Sequence, residues 1–108
     1  MNFLYTNSVV IPDTSALLKN KNILNFLLKD FKKVVISQTV LDELNYQKDK
    51  KQNNDAWIVM QKIQEVKNRL EVKDDRKYQG INHDEKIRSF ALDYAKRNSI
   101  KVFILHDD

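Results

Sequence analysis

Three short apolar runs rich in β-branched side chains limit what this chain can fold into: Ser8–Ile11 (SVVI), Val34–Ser37 (VVIS) and Val102–Leu105 (VFIL). A strand with one wet face alternates apolar and polar residues, whereas a strand covered on both faces reads as a continuous apolar run. All three runs are of the second kind. Long segments with helical spacing separate them, as parallel strands require. The pattern predicts an α/β fold, three layers (α/β/α) around a short central parallel sheet on a Rossmann-like plan.

The connecting segments carry their own periodicity. Leu17, Leu18, Ile23, Leu24, Phe26, Leu27 and Leu28 form an apolar helical segment between the first two runs. After the second run, Val40, Leu41 and Leu44 stand at helical spacing, followed by a polar stretch from Lys48 to Asp55. Ala56, Val59, Met60, Ile63, Val66 and Leu70 keep the i, i+3, i+4, i+7 order of an amphipathic helix, with Trp57 and Met60 read as helix packing. From Glu71 to His83 the period vanishes, and the chain's single Gly falls there, so this segment reads as a loop. Asp84 to Asn98 is again helical, with Ile87, Phe90, Ala91, Tyr94 and Ala95 on one face.

A length of 108 residues suits one small domain. One Gly and one Pro argue against a many-turned all-β sandwich. The lack of Cys excludes disulfide scaffolds, thiolate zinc sites and thiol nucleophiles, and sits easily with the cytoplasm, the expected location. No apolar run reaches the roughly 18–20 residues that span a bilayer, and the N-terminus lacks the basic region and cleavage site of a signal peptide. No membrane partner is expected. A net charge of +4 permits an anionic partner such as nucleic acid without requiring one. The chain stops at His106-Asp107-Asp108, directly after a buried strand. The expectation is therefore a single domain over residues 1–108 that lacks its last strand and covering helix and belongs to a longer polypeptide.

Acidic residues fall at equivalent places in this plan. Asp13 follows the first strand, Glu43 lies on the helix after the second, Asp84 opens the last helix, and Asp107 and Asp108 follow the last strand. In an open parallel sheet these points share one edge, the usual ligand crevice. Asp84, three residues before Ile87, is expected to project inward there. Each acid has an ordinary reading: Asp13 and Asp84 as helix caps or first-turn acids, Glu43 beside Asp42 as a solvated helical acid, and the last two as a polar chain end. Their joint placement favours a site. Converging carboxylates repel one another, and a hard cation such as Mg²⁺ or Mn²⁺ relieves that repulsion and supports phosphodiester hydrolysis. His83 and His106 lack the spacing of a zinc site; His106 reads as a supporting residue beside the acids.

The segments PDTSALL, VVISQTVLDELNYQKDKK, NHDEKIRSFALDYAKR and VFILHDD resemble, in order, the four signature segments of the PIN-domain ribonucleases, from about Val9 to Asp108. LDELNYQKDKK looks more like PIN domains within larger RNA-processing proteins than like compact toxin nucleases. The resemblance implies catalytic roles for Asp13, Glu43, Asp84 and Asp108. It implies metal binding by Asp13, Asp84, Asp107 and Asp108, with Ser15 and His106 in support; His106 stands where the family usually has Thr or Ser. The implied activity is that of a Mg²⁺- or Mn²⁺-dependent endoribonuclease acting on single-stranded or structured RNA. Lys48, Lys50 and Lys51, together with Arg76 and Lys77, are candidate RNA contacts, and Tyr78 a base-stacking one. The same lysines read equally well as a solvated face.

Two other readings compete. One is a catalytically weak or inactive PIN module that binds RNA or scaffolds a larger protein, and a homo-oligomer is compatible with either. The other is a phosphoacceptor receiver domain. That fold wants an acidic pair after its first strand and a Lys after its last, whereas here the pair comes last.

Overall fold

In the computed structural model residues 5–78 and 82–107 are described, residues 5 and 6 by backbone alone. The chain runs β1 (Tyr5–Pro12), α1 (Thr14–Lys19), α2 (Ile23–Asp30), β2 (Phe31–Ser37), α3 (Gln38–Asp49) and α4 (Asn54–Glu65). A 3₁₀ turn (Lys67–Arg69) follows, then β3 (Leu70–Lys73), α5 (His83–Asn98) and β4 (Lys101–Leu105). The four strands form one sheet in the order β3-β2-β1-β4, parallel throughout. No helix among the described residues is long and apolar enough to cross a membrane.

Two of the three continuous apolar runs become the inner strands β1 and β2, whereas Val102–Leu105 falls in the edge strand β4 and is half-buried, not covered on both faces as its run suggested. Val9, Val10, Ile11, Val34, Val35 and Ile36 are each at most 1% exposed. Their side chains alternate between two cores. Val10, Val34 and Ile36 pack with Leu17, Leu24, Leu27, Val40, Leu44, Val59 and Ile63, which places α1 to α4 on one face. Val9, Ile11 and Val35 pack with Phe90, Ala91 and Tyr94, which places α5 on the other. This is the expected three-layer arrangement.

Several expectations about elements are corrected. The segment from Glu71 is not all loop, because Leu70–Lys73 pairs in parallel with Val34–Ser37. Leu70 consequently leaves the helix that its spacing suggested: α4 ends at Glu65, and the chain turns through Val66. The apolar segment from Leu17 to Leu28 is two helices, broken at Asn20–Asn22. Trp57 is 52% exposed, because the buried stripe of α4 runs through Ala56, Val59 and Ile63 and turns the next position outward.

Candidate active site

The sheet order creates a switch point. From β1 the chain moves to β2 and β3 on one side, then crosses by α5 to lay β4 on the other side of β1. The space beyond the carboxyl ends of β1 and β4 is where open α/β sheets hold ligands. The Asp13 N–H donates to the Leu105 carbonyl at 2.8 Å, one step beyond the β1–β4 ladder, so Asp13 leaves the sheet at this point.

Asp13 also caps α1. Its Oδ1 accepts from the Ala16 N–H at 2.9 Å and from the Ser15 hydroxyl at 2.8 Å. Ser15 Oγ in turn accepts from the Asp107 N–H at 3.1 Å. Ser15 thus clips the exit of β4 to the carboxylate after β1. The cap reading and the site reading of Asp13 are compatible, since the cap occupies one carboxylate oxygen and fixes its direction.

Glu43 is positioned through the start of α3. Ser37 Oγ accepts from the Val40 N–H at 3.2 Å, and Asp75 Oδ1 accepts from the Thr39 N–H at 2.9 Å and the Thr39 hydroxyl at 2.8 Å. Two of the four unpaired amides of the first turn are satisfied in this way. Glu43 Oε2 lies 2.7 Å from His83 Nδ1, whereas the exposed Asp42 beside it accepts from the Gln38 side-chain amide at 2.9 Å. Asn82 caps α5 by accepting from the Glu85 N–H at 3.0 Å. Asp84 therefore lies in the first turn and is exposed, not core-facing as its spacing to Ile87 suggested. His83 and Asp84 in this first turn are both exposed, so their side chains stand at the rim of the crevice.

Two adjoining hollows share Asp13, Asp84 and Ile87. The larger, about 210 Å³, also has Ser15, Thr39, Glu43 and His83 in its lining. The smaller, about 130 Å³, adds Arg88, Ile104 and His106. The structure thus brings Asp13, Glu43 and Asp84 to one crevice, with His106 beside them and exposed Asp107 joined through Ser15. Asp108 lies outside the described residues.

The basic residues singled out from the sequence line neither hollow. Lys48 lies in the last turn of α3, roughly 7 Å along the axis from Glu43 at 1.5 Å per residue, and Lys50 and Lys51 follow the end of the helix. Lys48 is paired with Asp49 at 2.9 Å, and Lys51 stands over the Tyr46 ring. Arg76 grips Asp74 through Nε (2.8 Å) and Nη2 (2.7 Å), which holds the Asp74 carboxyl well below the usual carboxylate range. Lys77 stands over the Tyr78 ring. The Tyr78 hydroxyl donates to Asp93 and its ring meets Phe90 edge-on, so it is packed rather than free to stack.

Sequence reasoning passed over two residues. Asp75, which holds the start of α3, gave no signal beside the identical Asp74. Arg88 had one, since it stands four residues after Asp84 on the same helix face.

A family model described as a PIN domain matches residues 10–108. The chain belongs to the PIN-domain family, a nuclease-type fold. No curated protein matches it.

Among the described residues, no group of three His, Cys, Asp or Glu stands close enough together to hold a metal ion. The donor chemistry of the crevice nevertheless suits a hard divalent cation. The nearest acidic side chains offer carboxylate oxygens, no Lys lines either hollow, and Mg²⁺ in particular keeps several waters and needs few protein ligands.

Proposed function

We propose that this chain is a divalent-metal-dependent endoribonuclease that hydrolyses RNA phosphodiester bonds at the carboxyl edge of its sheet. One observation carries the reading: Asp13, Glu43 and Asp84, from three separate segments of a PIN-family chain, line a single crevice at the switch point. Asp13 and Asp84, with Asp107 and Asp108 after β4, are the residues to hold Mg²⁺ or Mn²⁺. A bound cation of this kind lowers the pKa of its water and offsets charge on the phosphate oxygens. Glu43, which lines the same hollow and is held by His83, is the residue to accept a proton from an attacking water. Ser15 keeps the Asp13 carboxylate directed at the crevice and ties it to the backbone of Asp107.

A second reading, a PIN module that binds RNA or scaffolds without turnover, has its own observation. Glu43 is engaged by His83, and the described acids do not close into a three-ligand group. Cleavage of a mixed-sequence single-stranded RNA decides between them. Manganese-dependent cleavage that stops with EDTA and with Asp13→Asn is the expected result. RNA binding with no cleavage at any Mn²⁺ concentration would overturn the nuclease reading in favour of the module.

A further inference from the structure

We propose that Arg88 binds the RNA backbone on the β4 side of the crevice, its guanidinium taking the non-bridging oxygens of one phosphate. This rests on the part of the preceding reading that brings RNA to the crevice, and it names a contact which that reading leaves open. Arg88 lines the smaller hollow together with Asp13, Asp84 and His106. It lies one helical turn beyond Asp84, so both side chains are carried on the same side of α5.

Among the described residues Arg88 makes no ion pair and no hydrogen bond, although Asp84 stands at the i−4 position. The same spacing on the same helix does produce a pair further on, where Arg97 Nε binds Asp93 at 2.8 Å. Arg76 is likewise consumed by Asp74. Arg88 is thus a charged fork that the fold leaves unspent beside the acids.

Substrate chemistry needs such a group. Carboxylates alone repel a phosphate backbone, and the lysines of α3 stand away from the crevice. His83, on the α3 side, is engaged with Glu43. A planar guanidinium matches two phosphate oxygens at once. Ile87, 4% exposed, and the half-buried Ile104 wall the hollow with apolar surface, which strengthens a charge contact relative to open water. The strand would therefore cross the acids from the α3 side towards β4, with one phosphate seated on Arg88.

The test is fluorescence anisotropy with a labelled oligouridylate, in EDTA to prevent cleavage, over a series of NaCl concentrations. Arg88→Ala is expected to weaken binding about tenfold or more, as loss of a charge-assisted contact does. It should also reduce the slope of log K against log salt by about 0.7, one phosphate contact fewer on a single strand. Arg88→Lys should keep the slope and lose part of the affinity. Arg97→Ala, which removes a cation already paired with Asp93, should leave the slope unchanged. Melting curves of the three variants report on folding. An Arg88→Ala chain with unaltered affinity and slope would overturn the assignment, leaving the nuclease reading intact if Mn²⁺-dependent cleavage persists. No RNA binding by the unsubstituted chain would overturn the contact, and the absence of Mn²⁺-dependent cleavage as well would remove both. Binding that depends on Arg88 without any cleavage would keep the contact and sink the nuclease.

Discussion

Asp75 has no exposed surface, and its Oδ1 holds both the N–H and the hydroxyl of Thr39, while Asp74 beside it is exposed and paired with Arg76. Nothing in the string DDRK distinguishes the two, because burial is decided by where α3 begins, 36 residues away. The acids of the crevice were legible for the opposite reason. They follow strand ends or stand early in helices, and in a parallel sheet the strand ends and the starts of the following helices share one edge. Their directions were not legible: Asp84 stands at the rim, and Glu43 is engaged by His83, a residue that sequence spacing left without a role. Asp75→Ala removes a cap from α3 and leaves two donors of Thr39 without their acceptor. We expect it to destabilise the fold by about 2 kcal/mol, lowering Tm by roughly 8–16 °C at this chain length. Thermal denaturation with Thr39→Val and the double variant checks the assignment. Additive losses would mean that the two residues do not interact.

Strand β3 shows why elements of four residues escape a reading by periodicity. LEVK offers one alternation, and Leu70 falls four residues after Val66, which extends the helical pattern of α4 by coincidence. The strand is set by what it pairs with, Val34–Ser37, and by the polar side chains at its edge. Glu71 takes Lys33 at 2.8 Å and accepts from the Tyr94 hydroxyl at 2.9 Å, joining β3 to β2 and α5. Burial raises the pKa of Glu71, but the bonds from Lys33 and Tyr94 outweigh it and leave the group below the ordinary glutamate value. A carboxylate depressed in the folded state stabilises the fold above its unfolded pKa, about 4.3, and loses that contribution as pH falls through the lower folded value. Glu71→Gln should therefore lower Tm at neutral pH and flatten its fall below about pH 4.3. A variant whose acid limb matches that of the unsubstituted chain would remove Glu71 from this role. Helix α5 closes at Asn98, where its periodicity ended, although Ser99 rather than glycine takes the left-handed conformation (φ 50°) after it.

Taken together, the layers follow from the sequence more directly than the strand order does. Continuous apolar runs required a sheet covered on both faces, and Val9, Val10 and Val35 fill two cores as that requires. The order β3-β2-β1-β4 depends on which face α5 crosses, a choice made by packing of Phe90, Ala91 and Tyr94 against Val9, Ile11 and Val35. That choice sets Asp13 beside the end of β4 and so creates the crevice. The account stands on the proposal that the crevice acids bind a divalent cation, and Mn²⁺ reports on this directly through paramagnetic broadening of backbone amide signals. Substoichiometric Mn²⁺ should broaden the signals of Asp13–Ala16, Glu43 and His83–Ile87 first, spare α2 and the far end of α3, and lose this pattern in Asp13→Asn and Asp84→Asn. Broadening that is uniform, or centred away from these residues, or unchanged by either substitution would contradict the site.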